Sequence, residues 1–452
     1  MASILLKNGV IVSPIEQIKA SILIEDGKIS RIIQADEEVS SNGVEVIDLN
    51  GKFVMPGCVD GHTHMMDPGL TEREDFTTGT RAAAYGGITT VIDHHRTVPA
   101  VYSAEEHFRK VEHLKDKSVV DFSLIGGGSA ENIENFESMW DAGIVAFKLF
   151  TCDLHGVKKM SAANLEKAFS EIARIGGTIL IHCEEDSILA ENESRLKREG
   201  RLDFMSHIEW RSSLAEEVAV QTVIAVARKT KVRLIVAHVS QPYLLQQIKD
   251  ARDEGFEIYA ESCPQYFNLT TEDLEKKGPW VKFTPPVKDK NTVNEMWPLL
   301  ADGYVTVIGS DHCPYPIADK KPGEANIWDA PNGIPGIETS LRLMLNGVNE
   351  GKVSLNRIVE VMSENPAKLY GLYPQKGVIA VGSDADIVVL DMNKRELISN
   401  DKVVSKCKWS PYDGKEIKGA PELVFVRGKK VMEKGEVLGQ AGDGRFVSRL
   451  NR

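Results

Sequence analysis

Between about residues 57 and 311, short runs of β-branched and other apolar residues alternate with segments whose apolar positions recur every three or four residues. The first pattern is typical of buried parallel strands, and the second is typical of amphipathic helices. Eight strands can be placed, over residues 57–62, 88–93, 119–126, 144–150, 178–183, 233–239, 257–262 and 305–311. This alternation predicts an α/β protein with a (β/α)8 TIM-type barrel, whose reactive residues lie at the C-terminal ends of the strands.

The two chain ends carry a different pattern, in which short alternating stretches are separated by tight turns. The stretches ILLKNGVIV and ILIEDGKISRI precede residue 55, and VIAVGSDADIVVLD and LVFVRGKKVMEKGEVL follow residue 375. Their Asn-Gly and Asp-Gly pairs predict hairpins. Because neither end is long enough to form a stable sheet alone, we expect residues 1–55 and 375–452 to build one small β-sandwich domain beside a catalytic barrel of residues 56–374.

The composition is that of a folded globular protein, with 42% hydrophobic and 27% charged residues among 452. The 54 Lys and Arg residues against 66 Asp and Glu give a formal net charge of −12, which argues against nucleic acid as a partner. The chain carries no apolar run of membrane-spanning length and no signal-peptide pattern at its start. We therefore expect a soluble, cytoplasmic protein, and its six isolated cysteines predict reduced thiols.

Candidate metal ligands lie at the C-terminal ends of the predicted strands. His62 and His64 follow the first strand, and both imidazoles can bind one ion because positions i and i+2 of an extended chain face the same side. A short His-x-His pattern alone is more often explained by surface or core histidines. His182 and His238 end the fifth and sixth strands, and Asp311 ends the eighth, where it could otherwise cap a helix. Their recurrence at matching strand ends favours a metal site.

Lys148 lies in the apolar run VAFKLF, where an unpaired ammonium group would be costly. It either extends to the barrel mouth or pairs with a carboxylate, or it reacts with carbon dioxide to give a carbamate that bridges two metal ions. The combined nitrogen and oxygen ligands suit zinc, and they leave Mn, Fe and Co open. Two divalent ions that share a hydroxide provide the usual route to metal-assisted hydrolysis at neutral pH.

Other residues near the strand ends receive no metal role. His94, His95 and Arg96 follow the second strand in a polar loop that could reach a substrate. His312 is expected to hold its loop. Cys183 adjoins a candidate ligand, but no base paired with it in sequence marks it as a nucleophile, and we expect a packing residue.

Motifs in a constant order along the chain resemble those of the cyclic amidohydrolases, which include hydantoinases, allantoinases and dihydropyrimidinases. They are VMPGCVDGHTH from residue 54, FK from 147, HCEE from 182, AHVS from 237, GSDHCP from 309, PNGIPGIET from 331 and NPAKLYGL from 365. The similarity extends from about residue 3 to 450 and is greatest to bacterial hydantoinases of the L-type.

The resemblance implies a site with two metal ions. The more buried ion would be held by His62, His64, Lys148 and Asp311, and the other by Lys148, His182 and His238. Lys148 would be N6-carboxylysine and would bridge the ions. Asp311 would also be catalytic, because it would carry a proton to the leaving ring nitrogen. Thr284 and Asn332 would contact the substrate, and the protein would be a homotetramer.

Two departures from the family pattern bear on the substrate. Dihydropyrimidinases and D-hydantoinases have a tyrosine five residues after the carboxylated lysine, where this chain has Asp153, and the loop DHHRTVP differs from the Met-Pro-Leu-Asn-like loop of allantoinases. We therefore expect a hydrolase that opens a five-membered cyclic ureide, of the hydantoin or allantoin type, with dihydropyrimidinase activity as the alternative.

Two further hypotheses belong to other classes. One is a non-catalytic assembly protein that keeps the fold after loss of the ligands, and the intact ligand set argues against it. The other is a deaminase with a single metal ion on the same barrel. Lys148 together with the second histidine pair, His182 and His238, favours two ions instead.

Overall fold

The computed structural model describes residues 3–34, 37 and 43–450. The strands before the barrel are β1 (Ser3–Val12), β2 (Gln17–Glu25), β3 (Lys28–Gln34), β4 (Val44–Asp48) and β5 (Phe53–Pro56). The barrel strands are β6 (Cys58–Thr63), β7 (Ile88–Asp93), β8 (Asp121–Gly127), β9 (Ala146–Phe150), β10 (Thr178–His182), β11 (Arg233–Val236), β12 (Ile258–Ser262) and β13 (Val307–Ile308). The strands after the barrel are β14 (Ile387–Leu397), β15 (Glu416–Val426), β16 (Lys429–Glu433) and β17 (Glu436–Val437).

The α-helices of the described residues connect and cover the barrel strands. They are α1 (Phe76–Gly86), α2 (Ala104–Leu114), α3 (Phe136–Ala142), α4 (Ala162–Arg174), α5 (Asp186–Arg198), α6 (Ser206–Trp210), α7 (Ser213–Thr230), α8 (Pro242–Asp253), α9 (Gln265–Asn268), α10 (Thr271–Lys277), α11 (Lys290–Ala301), α12 (Ile317–Lys320), α13 (Ser340–Asn349), α14 (Leu355–Val359) and α15 (Asn365–Leu369). Within the described ranges, none of them combines the length and apolar character needed to cross a bilayer.

The eight predicted barrel strands are confirmed, and β6 to β13 form a parallel sheet in sequence order. The first and last strands meet where Thr63 pairs with His312 and the His64 N–H donates to the His312 carbonyl at 2.9 Å. The strand predicted over residues 305–311 is reduced to Val307–Ile308. Beyond it, the Ser310 N–H donates to a side-chain oxygen of Asp60 at 3.0 Å, so the chain leaves the strand ladder there.

The barrel interior is filled by apolar side chains that alternate strands direct inward, as its closure requires. Ile92, Leu180 and Ile235 are fully buried within it. Its N-terminal end is closed by residues from beyond the barrel, because Tyr370 and Val447 belong to the same buried cluster. The Val447 N–H donates to the Phe122 carbonyl of β8 at 2.8 Å.

The strands of the chain ends form one nine-stranded sheet, in which β5 pairs with β14 and thereby joins the two ends. The sheet encloses an apolar core between β1–β3 and β14–β15, as expected of a sandwich-like domain. The predicted domain limits, residues 1–55, 56–374 and 375–452, stay a prediction.

The two dipeptide signals near the start of the chain have different outcomes. Asp26 and Gly27, at φ of 50° and 78°, form the predicted hairpin turn between β2 and β3. The hairpin predicted at Asn8 and Gly9 is wrong, because β1 continues through both residues with a register shift between Leu6 and Gly9. A Cβ atom on Gly9 would lie 2.8 Å from a Val54 methyl group, so this glycine serves close packing against β5.

Candidate metal centre

The predicted ligands converge at the C-terminal mouth of the barrel, where they line one pocket. Six of the residues that line it are those the sequence predicts: His62, His64, Lys148, His182, His238 and Asp311. They reach it from β6, β9 and β10 and from the segments that follow β6, β11 and β13. The structure therefore brings the whole predicted set together.

The first group of ligands is centred on the carboxylate of Asp311. Its Oδ1 lies 3.3 Å from His62 Nε2 and 3.4 Å from His64 Nε2. On the other side of the His62 ring, Nδ1 is 2.6 Å from Glu261 Oε1. A carboxylate in this position fixes the tautomer, because it holds the proton on Nδ1 and leaves Nε2 free to bind a metal ion.

The second group consists of His182 and His238, whose Nδ1 and Nε2 atoms are 2.9 Å apart. The other ring nitrogen of His182 is 2.7 Å from Glu184 Oε2. The ring centroids of His62 and His238 are 5.5 Å apart, so the two groups are adjacent. This arrangement repeats the first, with a buried carboxylate behind each of two histidines.

Glu184 is held by three donors. Its Oε2 accepts hydrogen bonds from Arg211 and from the Thr284 hydroxyl, the latter at 2.8 Å, in addition to its contact with His182. Burial alone would raise the pKa of Glu184, but the Arg211 guanidinium and the His182 contact lower that pKa to about 2. The same carboxylate thus links a candidate metal ligand to a residue predicted to contact the substrate.

Lys148 lies between carboxylates without contacting one. Its side chain is buried, and its Nζ forms no hydrogen bond with any described residue. Burial lowers the pKa of Lys148 to about 8, although the charges of Glu261 and Asp311 oppose the shift. Because this pKa is closer to physiological pH than that of an exposed lysine, a larger fraction of the amine is neutral and nucleophilic, the form that reaction with carbon dioxide requires.

The backbone is strained at two of the strand ends. His238 and Asp311 have φ angles of 39° and 47°, in the left-handed region that non-glycine residues avoid. Such angles persist where the surrounding structure enforces them, and they are concentrated at functional sites. Here they turn both side chains into the pocket.

The donor set suits divalent metal ions. Burial holds the pKa values of His62, His64 and His238 well below their usual range, so these imidazoles are neutral, the form that binds metal. Burial also raises the pKa of Asp311 to about 7. A buried carboxylate surrounded by neutral imidazoles and one unpaired lysine is costly in the absence of a cation.

His94 joins the cluster, at a position where we expected only a polar loop. Its ring stacks on His62 with centroids 4.3 Å apart, and both of its buried ring nitrogens form no hydrogen bond with a described residue. Ligand atoms of His62, His64 and His94 all lie within 4.8 Å of one another. The sequence signal was its place directly after a strand, which is the argument that identified His62.

The residues predicted to contact the substrate line the same pocket, together with Phe150 and Phe283. Asn332 Oδ1 is buried and forms no hydrogen bond with a described residue. Asp153 does not line the pocket; its carboxylate is 49% exposed and accepts a hydrogen bond from the Lys159 N–H at 2.8 Å. The position at which dihydropyrimidinases and D-hydantoinases have a tyrosine therefore contributes no wall to the pocket here.

Two neighbours of the ligands have structural roles. His312 Nδ1 accepts a hydrogen bond from the Gly336 N–H at 3.2 Å, so this residue holds its loop as expected. Cys183 is buried, and burial raises the pKa of its thiol well above the usual value, which fits a packing residue.

The model of the Amidohydrolase family matches residues 53–431. The chain belongs to this family. An L-hydantoinase of Paenarthrobacter aurescens is 40% identical over 455 residues, which cover 100% of this chain and 99% of that protein. An allantoinase of Escherichia coli is 33% identical over 98% of both chains.

Solved structures of amidohydrolases agree with the barrel and the sheet. A structure described as L-hydantoinase (dihydropyrimidinase) from Arthrobacter aurescens matches with a TM-score of 0.97 at 40% identity, over 99% of this chain and 100% of that chain. The family resemblance and the fold class inferred from the sequence are thereby confirmed.

Proposed function

We propose that this amidohydrolase is a binuclear metal-dependent hydrolase that opens the ring of a five-membered cyclic ureide, of the hydantoin or allantoin type. The observation that carries the proposal is the convergence of two histidine pairs, a buried lysine and Asp311 in one pocket. Similarity over the full chain to an L-hydantoinase supports the cyclic amide class. The name dihydropyrimidinase in a similar structure makes six-membered rings the second candidate.

Two divalent ions, with zinc favoured by the donor set, would be held by the two groups described above: His62, His64 and Asp311, and His182 and His238, with Lys148 shared. When bound, the ions would polarise a ring carbonyl and lower the pKa of water, so that a hydroxide nucleophile is available at neutral pH. Lys148 would serve as a carbamate, formed when its neutral amine adds to carbon dioxide and releases one proton. The partner-free, buried Nζ supports this assignment.

The protein groups divide the remaining work. Asp311 accepts the proton of the attacking water and delivers it to the leaving ring nitrogen, so that ring opening consumes one water and leaves no net change on the protein. The Thr284 hydroxyl and the Asn332 side chain, which line the same pocket, orient the ring. Phe150 and Phe283 supply apolar surface that limits access of further water.

A metal analysis and a substrate panel test the proposal together. Purified protein should contain about two equivalents of divalent metal per chain by elemental analysis. It should open hydantoin, 5-substituted hydantoins of both hands or allantoin with higher kcat/KM than dihydrouracil or dihydroorotate. A higher kcat/KM for dihydrouracil than for every five-membered ring would favour the second candidate, and no ring opening at all would refute both.

Replacement of the lysine tests the carbamate. Lys148→Ala should lose metal and activity, and short carboxylic acids such as acetate or propionate should restore both in part, because they replace the bridging anion. Lys158→Ala, at a lysine that is 79% exposed, is the matched control and should behave as wild type. Full metal content and normal turnover in Lys148→Ala would exclude a bridging role.

The family resemblance supports a homotetramer, and the sequence pattern at the chain start supports a cytoplasmic location; both stay proposals. Light scattering at micromolar protein concentration tests the first. A monomer under those conditions would contradict it.

A further inference from the structure

Arg96 brings a positive charge to the wall of the metal pocket. It follows β7 in the polar loop noted in the sequence, is half-buried, and lines the pocket together with His64, His155 and Asn332. From the sequence, we expected of Arg96 only that its loop could reach a substrate.

The guanidinium of Arg96 has no carboxylate partner. Within residues 3–34, 37 and 43–450, no Asp or Glu oxygen lies within 4.0 Å of its nitrogens. Arg73, on the same side of the site, differs: it donates to the Pro314 carbonyl at 3.1 Å and lies 3.5 Å from the centroid of the Tyr315 ring. The side-chain contact of Arg96 with Tyr315 leaves its charge uncompensated. A half-buried cation without a carboxylate partner is available to an anionic ligand.

The surroundings of Arg96 are poor in negative charge. Of the described residues that line the pocket, only Asp311 has a carboxylate, and it faces the imidazoles of His62 and His64. Burial and then the charge of Arg96 hold the pKa of His155 well below its usual range, so this neighbour is neutral. Burial raises the pKa of Tyr315 to about 12, and the charge of the neighbouring Arg96 opposes this rise.

We propose that Arg96 selects cyclic ureides that carry a carboxylate on the ring substituent. This inference rests on the proposed function, and it adds the chemical class of the substituent. With the ring carbonyl at the metal ligands, a short acidic arm reaches the wall formed by Arg96 and His155, where the guanidinium pairs with the carboxylate and the neutral imidazole completes the contact. A planar guanidinium fits a carboxylate through two parallel hydrogen bonds, which a neutral substituent cannot match.

Hydantoin-5-acetic acid and hydantoin-5-acetamide form a matched pair of probes, because they differ in charge and hardly in shape. Calorimetry should show that wild-type protein binds the acid at least 10-fold more tightly than the amide, and kcat/KM should favour the acid by a similar factor. In Arg96→Met, the acid-to-amide ratios of affinity and of kcat/KM should both fall to about 1. The change should come from weaker binding and slower turnover of the acid, with the values for the amide unchanged. Arg96→Lys should retain part of the preference.

Arg109→Met is the control for a general change of charge, because Arg109 lies on α2 after the same loop and is 66% exposed. It should leave both ratios unchanged. An acid preference that persists in Arg96→Met would overturn the inference, as would equal binding of acid and amide by wild type.

The binding measurement separates this inference from the proposed function. If hydantoin and the amide are opened but the acid is not preferred, the hydrolase assignment stands and the role of Arg96 fails. If no ring is opened but the acid still binds more tightly through Arg96, the anion site stands and the proposed reaction fails.

Discussion

At the residue scale, the site depends on where single side chains are held by the backbone. Asp311 occupies a left-handed conformation at φ of 47°, and its oxygen faces two imidazoles. Asparagine tolerates this conformation nearly as well as aspartate. The position therefore allows the carboxylate to be replaced without disturbing the loop that carries it.

Asp311→Asn should lower kcat for ring opening by about 100-fold or more, with a smaller change in KM, because the amide cannot move the proton that the carboxylate moves. Steady-state kinetics with hydantoin, together with the metal content of the variant, give the measurement. Asp153→Asn, at an exposed carboxylate outside the pocket, should leave kcat unchanged. A near-normal kcat in Asp311→Asn would show that another group carries the proton.

The sequence predicts the side chains that end strands but not the groups that hold them. His62, His182 and His238 could be found because a strand end is visible in the chain. Glu261 meets the His62 ring at 2.6 Å from β12, a contact that follows from closure of the sheet. Glu184 meets the His182 ring at 2.7 Å from two residues further along the chain, but its partners Arg211 and Thr284 come from distant segments. Their place in HCEE and at the end of β12 was the only signal available.

At the scale of elements, two buried lysines tie together the loops that line the pocket. Lys320 Nζ donates to the carbonyls of Lys282, Pro331 and Gly333, at 3.1, 3.0 and 3.0 Å. Lys282 Nζ donates in turn to the Ile327 carbonyl at 2.6 Å. The loop that carries Asn332 is thereby fixed to the segment that carries Thr284.

Lys320→Met should raise KM for hydantoin by about 10-fold and change kcat less, because the methionine keeps the volume but releases three carbonyls of the substrate-binding loops. Hydrogen exchange of residues 327–337 should become faster in this variant. Lys321→Met, at the exposed neighbour, is the control and should change neither quantity. Unchanged exchange in Lys320→Met would mean that the loops are held by other contacts.

The elements themselves were predicted well where the local pattern decides them. Asp26 and Gly27 form a turn because both adopt positive φ angles there. Asn8 and Gly9 carry the same type of signal, yet they lie within β1, because pairing with β2 and close packing against Val54 outweigh the turn preference. Long-range packing of this kind cannot be read from a dipeptide.

At the scale of the whole molecule, a buried cluster of charges joins the sheet to the barrel. Lys376 is fully buried and contacts Asp121 at the start of β8 and two carboxylates before β14, Asp386 at 2.7 Å and Asp384 at 3.0 Å. Arg427, in the turn between β15 and β16, also pairs with Asp121. One lysine thus connects both parts of the chain.

Lys376→Met should lower the free energy of unfolding by about 3–5 kcal/mol, because it leaves the buried carboxylate of Asp386 without a cation and removes one cation from Asp121 and Asp384. Urea unfolding followed by circular dichroism gives the measurement, and Asp386→Asn in the same chain should recover part of the loss. Lys368→Met, which breaks a more exposed pair with Glu364, should cost less than about 1 kcal/mol. Equal losses in the two single variants would show that burial of the cluster is irrelevant to its strength.

The overall architecture was predicted from the number of strands, because eight alternating strand and helix units typically close into a (β/α)8 barrel. The strand order confirms it. The path of residues 445–447 beneath the barrel was not predicted, because the sequence pattern placed all of residues 375–452 in the small β domain.

That path also sets an order of events during synthesis. The Phe122 N–H donates to the Arg445 carbonyl at 3.0 Å, and Val447 is buried in the barrel interior. The floor of the barrel is therefore completed by residues that are synthesised after all eight barrel strands. Since chains fold from the N-terminal end as they emerge, this part of the barrel floor is completed only after these residues have left the ribosome. A nascent chain that stalls before residue 445 would lack this part of the floor, and the apolar side chains that Val447 covers would be exposed to chaperones and to other unfinished chains.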